Sequence, residues 1–112
     1  MTNEKIYEAT EISLTLSNDG MTYRRVIKPT ILNLARKKVQ GTYRGDLALV
    51  AWFNIVNWAF TNQNYYKNSI KPPIEIRKLA AKFLAEEWQW ELTETYHKML
   101  KLKKAGKPWS LR

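Results

Sequence analysis

Few residues of this chain have the type and spacing that catalysis or metal binding requires. His97 is the only histidine, and Glu91 and Glu94 lie one or two helical turns from it. A zinc site needs three or four ligands, and the sequence has no second histidine and no cysteine. We therefore expect His97 to be an exposed helical residue, and we predict no metal site and no cofactor.

A group of four glutamates is the other place where acid–base chemistry could arise. Paired carboxylates can bind Mg²⁺ or transfer protons, but both roles need partners on a second element. Only Asp46 is available elsewhere in the helical region. We expect a solvated helix face with an ion pair between Glu94 and Lys98, and we predict no catalytic residue and no enzyme. The four glutamates are Glu86, Glu87, Glu91 and Glu94.

The segment Gly-Thr-Tyr-Arg-Gly at 41–45 has the glycine content of a loop that cradles phosphates. It follows a predicted helix rather than a strand, and it lacks the Gly-Lys-Ser/Thr ending of a P-loop. The favoured interpretation is a connector between two helices, with Gly41 as the left-handed C-cap. The alternative is a nucleic-acid phosphate at the N-terminus of the next helix, beside Arg44.

The strongest chemical signal is positive charge in two blocks. Residues 21–45 carry seven arginines and lysines and no acid, and residues 98–112 carry six and no acid, within a net charge of +9. Like charge opposes folding by self-repulsion, and a polyanionic partner is the common reason to retain it; solubility alone is the alternative. We predict that nucleic acid is contacted by Arg24, Arg25, Lys28, Arg36, Lys37, Lys38, Arg44, Lys101, Lys103, Lys104, Lys107 and Trp109.

The C-terminal block allows three interpretations, which the sequence leaves open. It is a basic arm on phosphates, with Trp109 stacking on a base or packing in a groove. It is an amphipathic helix for a membrane surface or a protein partner, formed by the apolar residues between its lysines. Or it is a solvated helix end, where lysines complement the helix dipole.

The composition is that of one folded domain. Apolar residues make up 45% of the 112 residues, five are tryptophan, and the lack of cysteine suits a reducing compartment. The polar, mildly acidic start does not have the pattern of a signal peptide. The longest apolar run, residues 47–60, is shorter than the ~20 residues of a membrane span. We therefore expect a cytoplasmic protein with no transmembrane segment.

The predicted fold is mainly α: a small three-helix bundle with helices at about 29–40, 46–63 and 73–104. An N-terminal β-hairpin or extended arm is predicted over residues 1–28, because Ile12, Leu14 and Leu16 alternate with polar residues before an Asp-Gly turn. Pro29 is expected to start the first helix. The second helix is apolar on nearly all sides and is expected to be central. Residues 62–69 are predicted to be a loop, and 105–112 a basic tail.

From Ile31 to about Glu94 the chain resembles a loose group of short, uncharacterised proteins encoded by phages and mobile elements. The residues that carry this resemblance lie in the three predicted helices and in the turn between the first two. The resemblance implies a viral or mobile-element origin and brings no activity with it. In that group an acid commonly follows the tyrosine of the turn and caps the second helix, whereas Arg44 stands there in this chain. The matching residues are Leu34, Lys37, Lys38, Gly41, Thr42, Tyr43, Leu47, Ala48, Trp52, Val56, Asn57, Ala59, Arg77, Ala80, Ala81, Leu84, Ala85, Glu86 and Glu87.

Two functions are therefore predicted as alternatives. The first is non-enzymatic binding of DNA or RNA, mainly through phosphate contacts that are largely independent of sequence. The second is a protein-binding inhibitor or accessory module that acts on an acidic surface of a host protein. In that case aromatic anchors would supply most of the binding energy. The candidate anchors are Tyr65, Tyr66, Trp88 and Trp109.

Overall fold

The structure is a computed structural model that describes residues 2–61 and 70–110. These residues form five helices and no strand, which confirms the mainly α prediction. The molecule is elongated, with principal extents of 49 × 29 × 19 Å. Helix α2 contains one π-helical turn between two α-helical parts. The helices are α1 (Asn3–Ser17), α2 (Gly20–Thr22, the π-helical turn Tyr23–Ile27, and Lys28–Gln40), α3 (Gly45–Ala59), α4 (Ile74–Glu87) and α5 (Gln89–Lys104).

The predicted N-terminal hairpin or arm is wrong, because this region forms α1 and the start of α2. Ala9, Ile12 and Leu16 are buried on one side of α1, whereas Leu14 is about half exposed. Ala9, Ile12 and Leu16 are spaced by three and four residues, which is the helical period. A helix also pairs its backbone groups internally, whereas a strand edge would leave some of them unpaired. Asp19 does not enter a hairpin turn but caps α2, since its carboxylate accepts the Thr22 N–H at 2.8 Å.

Helix α2 does not begin at Pro29 but runs through it. A proline inside a helix lacks one N–H, and its ring collides with the carbonyl four residues earlier. The π-helical turn immediately before Pro29 widens the backbone there, and the Lys28 N–H bonds to the carbonyl of Tyr23, five residues back. The Thr30 hydroxyl also donates to the Val26 carbonyl at 2.7 Å. The helix ends where predicted, at Gly41, which has φ 76°.

The predicted helix over 73–104 is two helices, α4 and α5, separated at Trp88. The backbone of Trp88 has φ −98° and ψ 7°, outside the α-helical region. Its indole Nε1 donates to the Ser17 hydroxyl at 3.1 Å, and its ring lies 5.3 Å from that of Tyr23. The break in α4–α5 therefore lies beside the break between α1 and α2, and three side chains join the two breaks.

The predicted three-helix bundle with the second helix at its centre is also wrong. Helix α4 is the central element, since it packs against α1 on one side and α3 on the other, while α2 packs against α5. Helices α1 and α4 run in the same direction, with the Lys5–Glu75 ion pair near their starts and the Ser17–Trp88 bond at their ends. Buried side chains from all five helices form one continuous core. Although α3 is apolar on most sides, one of its faces remains outside that core.

Helix α3 is tied to the start of α4 by Arg77. The guanidinium donates to Asn57 Oδ1 at 2.7 Å and to the Pro72 carbonyl at 3.0 Å, and it lies 5.6 Å from the Phe53 ring. Helix α3 ends at Ala59, so the predicted end at residue 63 and the predicted 62–69 loop fall outside the described residues. No helix within residues 2–61 and 70–110 is both long enough and apolar enough to cross a bilayer.

Candidate nucleic-acid interface

Three of the predicted cations lie along one edge of α2. Arg24, Lys28 and Arg36 are spaced by four and eight residues, so the helical repeat places them in line, with Leu32 completing the row. Arg24 and Lys28 are exposed and Arg36 is half-buried. The row opens onto a shallow groove of about 730 Å³, which we call the cationic groove. It is lined by Arg24, Lys28, Pro29, Leu32, Arg36 and Ser110.

The C-terminal tail meets α2 at this groove. After α5 the chain reverses at Gly106, which has φ 70°, and the Lys107 N–H bonds to the Leu102 carbonyl at 3.0 Å. Ser110 then accepts a hydrogen bond from Arg36 Nε at 2.9 Å. The two basic blocks of the sequence are therefore in contact, and this contact joins residues 74 positions apart.

Trp109 is part of the same tail, but its ring is half-buried against the core rather than standing free. The amine of Lys103 lies 5.7 Å from the centre of that ring, within the range of a cation–π interaction. Lys103 is therefore held against the tail beside Trp109 and is not part of the lining of the cationic groove. Three further tail lysines of the predicted interface are exposed: Lys101, Lys104 and Lys107.

The remaining predicted cations are placed differently. Arg44 pairs with Asp46 at 3.0 Å, two residues away, so its charge is locally neutralised. The amine of Lys38 lies 4.6 Å from the Tyr43 ring and 5.8 Å from the Tyr96 ring, outside the cationic groove. Arg25 is exposed and Lys37 is half-buried. Neither of these two, nor Lys28, forms an ion pair in the described part of the chain.

Carboxylates border the row of cations without interrupting it. At one end, the Thr22 N–H lowers the pKa of Asp19, and the charge of Arg24 acts in the same direction. Between α2 and α5, Tyr23 donates its hydroxyl to Glu91 Oε2 at 2.8 Å. Burial, together with this hydrogen bond and the Glu91 charge, raises the pKa of Tyr23 to about 12. Glu91 therefore accepts a hydrogen bond from a tyrosine and forms no ion pair among the described residues, although it lines a pocket together with Lys28 and Lys98.

The residues considered for catalysis or metal binding lie along α4 and α5. His97 is exposed, and its ring lies 5.4 Å from that of Tyr96. Glu86, Glu87 and Glu94 are exposed as well. The predicted ion pair between Glu94 and Lys98 does not form. No three histidine, aspartate or glutamate residues within 2–61 and 70–110 are grouped closely enough to hold a metal ion.

Sequence reasoning missed the residues that organise the cationic groove. Ser110 carries no signal, because a serine near a chain end has many uses and its partner is distant in sequence. Leu32 looked like an ordinary core position, but it lines the groove between Lys28 and Arg36. Of the predicted aromatic anchors, Trp88 is used at the helix break, and Tyr65 and Tyr66 lie outside the described residues.

Comparisons with known protein families, with curated proteins and with solved structures find no match to this chain.

Proposed function

We propose that this chain is a small phage or mobile-element protein that binds nucleic acid in the host cytoplasm and catalyses no reaction. The observation that carries the proposal is the cationic groove: Arg24, Lys28 and Arg36 line it together, no carboxylate of the described residues lines it, and Ser110 of the basic tail contacts Arg36 there. A row of cations beside an open surface is the arrangement that neutralises successive phosphates.

The dimensions of the row suit a phosphate backbone. Twelve residues separate Arg24 from Arg36, which corresponds to about 18 Å along a helix with a rise of 1.5 Å per residue. One strand of B-DNA advances 3.4 Å per base pair, so the row spans about five base pairs. The described lining consists of three cations with Pro29, Leu32 and Ser110, and it holds no set of side chains that reads base edges. We therefore expect binding to be largely independent of sequence.

The test is fluorescence anisotropy with a labelled duplex and the corresponding single strands of DNA and RNA, at salt concentrations from about 50 to 200 mM. We expect affinity to fall steeply with salt. The double variant Arg24→Gln/Lys28→Gln should reduce the slope of log K against log salt by about 2, since it removes two phosphate contacts.

The matched pair of single variants is Lys28→Gln and Lys71→Gln, which remove the same charge from the groove and from an exposed site before α4. Lys28→Gln should weaken binding by about tenfold, and Lys71→Gln by much less. Equal losses in the two variants would show that net charge alone acts, and would overturn the groove as the binding site. No binding by the native protein at low salt would overturn the function itself.

A further inference from the structure

Helix α3 leaves an apolar face uncovered beside α4. Leu47, Leu49 and Val50 are 49%, 44% and 52% exposed, although they belong to the most apolar segment of the chain. Beside them α3 and α4 form a groove of about 300 Å³. We call this the apolar groove. It is lined by Leu49, Val50, Phe53, Lys78, Ala81 and Lys82.

The apolar groove has a charged rim of one sign. Lys78 and Lys82 are one helical turn apart on α4, and both are exposed. Neither forms an ion pair within residues 2–61 and 70–110. A groove between two helices, with an apolar floor and a basic rim, fits an amphipathic helix whose apolar residues are flanked by acids.

The chain itself presents such a helix. Helix α1 has an outer face, opposite its buried side, on which three exposed glutamates flank two exposed apolar side chains. Tyr7 is 68% exposed and Leu14 is 47% exposed. Their separation of seven residues places them on the same line of the helix. The α1 outer face consists of Glu4, Tyr7, Glu8, Glu11 and Leu14.

We infer that the protein associates with itself, the α1 outer face of one copy occupying the apolar groove of another. Tyr7 and Leu14 cover Leu49, Val50 and Phe53, and the glutamates face Lys78 and Lys82. The two surfaces are different, so the contact is heterologous and each copy uses both of them. The net charge of +9 opposes association at long range, but salt near 0.15 M screens charges beyond ~8 Å and leaves contact pairs less affected.

The test is sedimentation of the native protein in the absence of nucleic acid, at about 150 mM salt and from about 10 to 500 µM protein. We expect the average mass to rise with concentration. The variant Lys78→Glu/Lys82→Glu should weaken association at least about tenfold, and so should Glu8→Lys/Glu11→Lys. Lys71→Glu, the matched reversal outside both surfaces, should leave it unchanged.

The decisive measurement is the mixture of the two charge-reversed variants. In the mixture each acidic groove can meet a basic helix, so association should return although it is weakened in each variant alone. Val50→Asn, which keeps every charge, should also weaken association, and circular dichroism checks that each variant remains helical. Native protein that stays monomeric at the highest concentration overturns the inference. A mixture that stays monomeric overturns it as well, because the two surfaces would then not be partners.

Discussion

Two regions of the molecule hold basic side chains in different surroundings. Between α3 and α4, Arg77 is half-buried and uses its guanidinium for two hydrogen bonds and a contact with the Phe53 ring. Along α2, Arg24 and Lys28 are exposed, have no ion pair among the described residues, and line an open groove. Residues of equal charge therefore have different surroundings: the Arg77 guanidinium bonds within the fold, whereas Arg24 and Lys28 face solvent.

The largest effect is expected from removing the structural arginine. Arg77→Ala deletes two charge-assisted hydrogen bonds and should lower the free energy of unfolding by about 2–3 kcal/mol, measured by urea denaturation. Arg25→Ala is the matched control, because Arg25 is exposed, and it should change stability by less than about 0.5 kcal/mol. Similar losses in both variants would contradict the distinction between the two regions.

A smaller effect is expected at the junction between the regions. Trp88→Phe keeps a ring beside Tyr23 but removes the donor to Ser17, and it should cost about 1 kcal/mol. Ser17→Ala removes the acceptor of the same bond. The double variant should therefore lose less than the sum of the two single losses in urea denaturation. Additive losses would show that the bond contributes nothing to stability.

The α2–α5 contact should give stability a dependence on alkaline pH. The pKa of Tyr23 is raised from 10.0 to about 12, so the native state disfavours the phenolate relative to the unfolded chain. This contribution is fully present below pH 10.0 and is lost as pH rises through about 12. Tyr23→Phe should lose about 0.5–1 kcal/mol at neutral pH with the bond to Glu91.

Urea midpoints of the native protein and Tyr23→Phe, measured across that window, check this dependence. The native protein should lose more stability than the variant between pH 10.0 and about 12, since the two proteins differ only at residue 23. Parallel curves would contradict the assigned role of Tyr23.

The smallest effect on stability is expected in the cationic groove. Lys28→Gln removes one member of a like-charged row and should leave the free energy of unfolding unchanged or raise it by up to about 0.5 kcal/mol. The same substitution is expected to weaken nucleic-acid binding. A variant that loses stability in proportion to affinity would place Lys28 with Arg77 as a structural residue.

The sequence predicted what depends on local pattern. The helical class, the C-cap at Gly41 and the segregation of charge follow from residue types and short spacings, and the first two are present in the structure. The hairpin prediction failed because Ile12, Leu14 and Leu16 on their own fit the period of a strand. In the structure, Ala9, Ile12 and Leu16 are buried on one side of a helix that packs against α4. Alanine contributes little to a hydrophobic pattern because its side chain is small, yet the same small side chain allows two helices to pack closely.

The other failures have a common physical cause, which is contact between residues distant in sequence. The break at Trp88 accompanies a bond to Ser17, 71 residues away, and nothing near residue 88 indicates it. The π-helical turn adds one residue to a helical turn that otherwise looks ordinary. For the candidate interface, the composition indicated which residues are cations. Their placement depends on packing, which puts Arg24, Lys28 and Arg36 at the groove and Lys38 and Arg44 elsewhere.

The two helix breaks lie side by side and divide this elongated molecule into two groups of helices, with α1, α3 and α4 in one and α2 and α5 in the other. The cationic groove lies on α2, in one group, and the apolar groove lies between α3 and α4, in the other. The indole of Trp88 contacts Ser17 and Tyr23 at the place where both helical paths are interrupted. Because Trp88 contacts residues on both sides of the break between α1 and α2, we expect a substitution at position 88 to change the orientation of the two surfaces without changing a residue in either.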